Sequence, residues 1–115
     1  MSATWKVDLA LVIEENSNEI VNDTVAIEET KNKTQRFHVI ISDETDDQEF
    51  DLSTLIGKAE EVLIISDNEI TIKKDSDSAT GIKCTKFLVS ESDFEKIYIS
   101  NDSGNDADVI IDVGG

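Results

Sequence analysis

One histidine, His38, and one cysteine, Cys84, set narrow limits on the chemistry open to this chain. A zinc site takes four ligands, chiefly Cys and His, so a single chain with one of each builds none of the usual kinds. A nucleophile triad needs a hydroxyl or thiol, a base and a carboxylate held together. His38 offers the base, but no serine stands in a G-x-S-x-G turn. It reads instead as a strand histidine facing solvent or an interface. Paired carboxylates can cleave glycosides. With 26 Asp and Glu in 115 residues, close pairs arise by chance, and one Trp, one Tyr and four Phe make poor sugar platforms. The expectation is a protein that is not an enzyme and takes no cofactor.

Three acidic clusters are candidates for calcium. Asp43, Glu44, Asp46, Asp47 and Glu49 form one, Asp75 and Asp77 a second, and Asp102, Asp106 and Asp108 a third. Hard cations want six to eight oxygens from flexible loops. None of the three has the D-x-D-x-D-G spacing with a terminal Glu, so the simpler reading is solvated turn carboxylates. Three Asn-x-Ser/Thr sequons begin at Asn22, Asn32 and Asn101, a short motif that matters only in a secreted chain.

The charge argues about partners. Ten Lys and Arg against 26 acids give a formal net charge of −16, which repels nucleic-acid phosphates and anionic membrane leaflets. It favours solubility, or docking on a basic partner. Cys84 has no disulfide partner within the chain. Met1 to Asp8 lack the basic leader and apolar run of a signal peptide, and no stretch approaches the ~20 apolar residues of a membrane helix.

The elements that hold these residues are strands. Fifteen Ile, nine Val and nine Thr are β-branched, and such side chains pack well on a pleated surface. With no proline, turns fall to Asn, Asp, Ser and Gly. Period-two alternation places Trp5, Val7, Leu9, Leu11 and Ile13 on one buried face of a long strand. After a turn at Glu15 to Asn18, a second strand runs through Ile20, Val21, Val25 and Ile27, with a break at Asn22-Asp23, and ends in a turn at Lys31-Asn32-Lys33. Arg36 to Ile41 is a third strand. Asp43 to Glu49, with nothing apolar, is expected to be a solvated loop, and Phe50-Asp51-Leu52 a short strand before a helical turn within Ser53 to Glu60. A hairpin is predicted at Val62 to Lys73, turning at Asp67-Asn68. Asp75 to Gly81 reads as a loop. Ile82 to Val89 changes phase after Cys84, which implies a bulge. Lys96 to Ser100 and Val109 to Val113 are the closing strands. The fold expected is all-β, an antiparallel sandwich or jelly-roll of about eight short strands, in a single domain over residues 1–115.

The run from Gly81-Ile82-Lys83-Cys84-Thr85-Lys86-Phe87-Leu88-Val89, through Ile97-Tyr98-Ile99-Ser100-Asn101, to Val109-Ile110-Ile111 resembles small β-sandwich proteins of tailed-phage virions, found as head decorations, fibres, and tail or connector components. Val62 to Glu69 looks like the same kind of strand-and-turn unit. The resemblance implies a structural protein that acts by assembly, in the virion after assembly in the host cytoplasm, as a homo-oligomer or bound to other virion proteins, without nucleic acid or membrane. Ile40, Leu63, Ile65, Tyr98 and Ile110 lie off the main apolar phase and are the interface candidates, against ordinary two-sided burial within one sandwich. The alternatives are a surface or secreted module that binds carbohydrate or calcium, and an acidic adaptor or inhibitor of a basic partner.

Overall fold

The computed structural model describes residues 3–16, 18–31 and 33–115, with side chains except at positions 3, 11–15, 18–25 and 55. The strands are β1 (Ala3–Glu15), β2 (Asn18–Lys31), β3 (Thr34–Ile41), β4 (Thr45–Asp51), β5 (Glu61–Lys74), β6 (Ile82–Val89), β7 (Lys96–Asn101) and β8 (Ala107–Gly114). A single helical turn, α1 (Ser53–Ile56), precedes β5. Every ladder is antiparallel, so the all-β, sandwich-like fold expected from the β-branched composition is the one adopted.

β5 is the hub. One of its edges carries β6. Its other edge is shared, with Glu61–Ser66 pairing with β8 and Thr71–Lys74 pairing with β7. β3 lies beyond β8, and β4 beyond β7. One strand thus feeds two half-sheets, β6-β5-β8-β3 and β6-β5-β7-β4, curled around a common core. Val62, Ile64, Ile70 and Ile72 keep the same parity along β5 and are all buried, so a single face of that strand serves both halves. Val109, Ile111 and Val113 of β8, Ile97 and Ile99 of β7, and Ile41 of β3 complete the interior, with Phe37, Val39 and Phe87 at its margin.

Four expectations are corrected. The predicted hairpin at Asp67-Asn68 is a continuous strand. A primed turn needs left-handed φ at both central residues, and neither has it. The two side chains bridge to the β7–β8 connection instead. Asp67 Oδ1 accepts the Asp108 N–H at 2.8 Å, and Asn68 Nδ2 donates to the Asp106 carbonyl at 3.0 Å. The phase change expected in β6 is present, because Cys84, Phe87 and Val89 all pack against the core, and the extra residues of the irregular pairing lie in β5. Ile65 pairs with Lys86 and Ile70 with Cys84, so Ser66–Glu69 face Thr85 alone.

The acidic stretch from Asp43 to Glu49 is not all loop, because Thr45–Asp51 form edge strand β4. Cations from β5 and β7 offset its charge. Lys73 Nζ meets Asp47 at 2.9 Å and Lys96 Nζ meets Glu49 at 2.9 Å. Charged side chains also keep such an edge from pairing with other chains. In β2 the predicted break is absent, since Asn22 pairs with Val12 and Asp23 with Leu11.

The face of β1 expected to be buried is only partly covered. Trp5 and Val7 are half-buried, and Leu9 is 42% exposed. The expected burial of Leu11, Ile13, Ile20, Val21 and Val25 lies outside the described side chains, as do the turn residues Ser17 and Asn32. Among the described residues β1 and β2 pair only with each other, forming an arm rooted on the end of the sheet. Gly114 permits that root, because a Cβ there would lie 3.2 Å from Lys31 Cγ and 3.3 Å from Trp5 Cε3. Lys31, almost fully buried, reaches Glu61 Oε1 and Glu60 Oε2, both at 3.3 Å. Burial lowers the Lys31 pKa, but hydrogen bonds to Glu61 and Glu60 outweigh it and hold the ammonium above the ordinary lysine value.

Candidate interaction face

Strand alternation sends one set of side chains into the core and leaves the other on the outer face of each half-sheet. On β6-β5-β8-β3 the register aligns two rows. His38, Ile110, Ile65 and Lys86 form one, and Arg36, Asp112, Leu63 and Leu88 the other. Ile40 pairs with Asp108 beside them. The face therefore mixes an apolar diagonal with ion pairs. Ile40 is 65% exposed and Ile65 40%, while Leu63, Leu88 and Ile110 are half-buried.

The acids on this face are each hydrogen-bonded locally. Arg36 holds Asp112 in a two-pronged contact, Nε to Oδ1 at 2.6 Å and Nη2 to Oδ2 at 2.9 Å, and these bonds raise the guanidinium pKa further. His38 Nε2 bonds the Asp108 carboxylate. On a chain of net charge −16, such a surface can approach another protein with little repulsion. At its end, a groove of about 400 Å³ separates the outer face from the arm, lined by Trp5, Val7, Arg36, Leu63 and Asp112.

The interface candidates divide. Ile40, Leu63, Ile65 and Ile110 come together on this face. Tyr98 does not, because it lies on the outer face of the other half-sheet between Glu49 and Lys73. Its hydroxyl donates to Glu49 Oε1 at 3.4 Å, and desolvation with the nearby Glu49 charge raises its pKa. Sequence reading missed Leu88 and the ion pairs. Their signal was present, since Arg36 and His38 alternate along β3 as Asp108 and Asp112 do along β8.

The calcium candidates are spread over the molecule, and among the described residues no three His, Cys, Asp or Glu gather around one point. Asp43 and Asp106 do meet, but on backbone. Asp106 Oδ1 accepts the Asp43 N–H, and Asp43 Oδ1 accepts the Gly104 N–H, both at 3.0 Å. Asp75 Oδ1 accepts the N–H groups of Glu95 and Lys96. Asp47 is tied to Lys73 and Ser100, and the Lys73 bond holds its carboxyl below the ordinary range. Asp77 contributes its carbonyl to Lys73. Asp46 and Asp102 stay exposed.

Cys84 is half-buried on β6, and burial pushes its thiol pKa up, away from nucleophilic use. A second pocket, of about 310 Å³, lies beside β6 between Ile72, Ile82, Phe87 and Phe94. Its one charged group, Lys74, already sits 5.1 Å over the Phe94 ring.

No family model, no curated protein and no solved structure matches this chain.

Proposed function

We propose that this chain is a non-enzymatic structural protein that works by assembling with other protein surfaces. The observation that carries the reading is the outer face of β6-β5-β8-β3, where Ile40 and Ile65 stand exposed beside Leu63, Leu88 and Ile110. Scattered apolar residues are normal on a protein surface, whereas neighbours on one face mark an interaction site. The setting proposed is a tailed-phage virion, assembled in the host cytoplasm. That part rests on the likeness of the strand-and-turn pattern from Gly81 to Ile111. The partners would be copies of this chain or capsid and tail proteins.

Native mass by light scattering, with calcium and then with chelator, tests the reading. A stable oligomer indifferent to chelator supports assembly. A strict monomer whose melting temperature rises only with calcium overturns it in favour of a metal-dependent surface module. Capsid and tail genes beside its own would support the virion setting, and a wholly metabolic neighbourhood would count against it.

A further inference from the structure

We infer that the groove between the β1–β2 arm and the outer sheet face is a binding site for a neutral saccharide, a single pyranose ring or the end of a longer glycan. The inference goes beyond the assembly reading and does not depend on it.

The groove brings together the chain's only tryptophan and its only arginine. Trp5 lines it from the arm, and Arg36 and Asp112 line it from the sheet, with Gln35 beside them. Its volume of about 400 Å³ falls within the roughly 300–1,000 Å³ of ligand pockets. Trp5 is half-buried, and its indole N–H is buried without a hydrogen-bond partner among the described residues. What the indole offers the groove is therefore carbon surface. An aromatic face is negative, and the slightly positive C–H groups on one side of a pyranose pack against it. Few aromatics argue against an extended sugar platform, but a single ring needs only one.

The sheet side supplies the polar half. Arg36 Nε and Nη2 hold Asp112 Oδ1 and Oδ2 at 2.6 and 2.9 Å. A guanidinium has about five N–H donors and a carboxylate about four acceptor sites. The two-pronged contact uses two of each, so donors and acceptors are left side by side on one rigid pair. Adjacent ring hydroxyls match that array, since each donates to the carboxylate or accepts from the guanidinium. The pair is ordered before any ligand arrives, which spares part of the cost of binding. Exposed Gln35 adds an amide with both functions.

Charge narrows the ligand class. Lys6 also lines the groove and forms no ion pair among the described residues. Lys6 and Arg36 against Asp112 leave a local positive excess, which disfavours a cation. The net charge of −16 opposes a polyanion. A wholly apolar ligand would strip water from Arg36 and Asp112 without replacing it. A neutral molecule with one apolar side and a rim of hydroxyls meets all three conditions.

An array of neutral and sialylated glycans, probed with the labelled full chain, tests this first. Glucose, galactose, mannose, N-acetylglucosamine and adenosine are then titrated, followed by Trp5 emission and by saturation-transfer NMR. At least one neutral saccharide is expected to bind with a Kd in the millimolar range or below and to shift the Trp5 emission. Arg36→Lys keeps the charge but loses the two-pronged contact, and is expected to raise that Kd about tenfold or more. Gln35→Ala, at an exposed position, is expected to weaken binding several-fold, and Lys83→Gln on β6 to leave it unchanged. Circular dichroism checks each fold. Binding that neither Arg36→Lys nor Gln35→Ala weakens overturns the groove as the site. Preference for sialylated glycans or for adenosine overturns the neutral-saccharide class. No array signal and no NMR transfer at tens of millimolar overturns the inference outright. None of these readouts depends on oligomeric state, so the assembly reading stands or falls separately.

Discussion

Replacing Lys31 by Met should produce a large loss of stability. Lys31 is 5% exposed and Glu61 fully buried. The ammonium is 3.3 Å from Glu61 Oε1, which also accepts the Glu91 N–H at 3.1 Å, while Oε2 has no hydrogen-bond partner among the described residues. Methionine keeps much of the packing volume but leaves the carboxylate uncompensated. Removing one partner of a buried ion pair costs about 3–5 kcal/mol. The Lys31→Met deficit should therefore be about 3–5 kcal/mol at pH 7. Urea unfolding followed by the fluorescence of Trp5, the only tryptophan, measures it. A deficit below about 1 kcal/mol at pH 7 would refute the reasoning. Adding Glu61→Leu to Lys31→Met should recover most of the loss, because an apolar pair of similar volume often replaces a buried ion pair without penalty.

Acid should weaken the fold through β4. Lys73 holds the Asp47 pKa down, and the Ser53 hydroxyl holds down that of Asp51. A carboxyl whose folded pKa lies below its unfolded value of about 3.9 contributes stability above that value and loses it as pH falls through the folded pKa. The urea midpoint should drop below about pH 4, and Lys73→Met should flatten the drop. Base acts through Lys31 in the opposite sense. Its raised pKa gives a contribution that is complete below about pH 10.4 and lost as pH climbs through the folded value, so thermal melts should fall in strongly alkaline buffer and Lys31→Met should abolish that dependence. Asn101, fully buried, donates to the Ile41 and Asn105 carbonyls at 2.8 Å and accepts the Ser103 N–H at 3.1 Å. Asn101→Ala should cost about 2–3 kcal/mol in chemical denaturation, since buried partners are left unsatisfied; a loss under 1 kcal/mol would count against this. Asn68→Gly separates a strand from a hairpin. It should destabilise by about 1–2 kcal/mol by losing the Asp106 bond and gaining backbone freedom, whereas stabilisation would argue for a turn.

Alternation made most of the strands legible. β8 reads directly from Val109, Ile111 and Val113, and β7 from Ile97 and Ile99, because one face of each is wholly buried. β4 was hidden because its residues are acidic and its partners, Lys73, Lys96 and Ser100, are distant in sequence. The β5 misreading has a similar source. Asp67-Asn68 has turn composition, but its side chains bond to Asp106 and Asp108, a tertiary influence that local propensity does not contain. At the interaction face, parity picked out Ile40, Leu63, Ile65 and Ile110, yet could not tell that Tyr98 belongs to the other half-sheet. That depends on β7 and β8 dividing one edge of β5, which only the register reveals.

The shared edge of β5 has a consequence during synthesis. β8 lies between β3 and β5, although about seventy residues separate it from the start of β3. A chain cut short after β7 leaves the position between β3 and β5 empty, so both edges are open to other chains. Premature termination between β7 and β8 should therefore yield an aggregating product rather than a partly folded one.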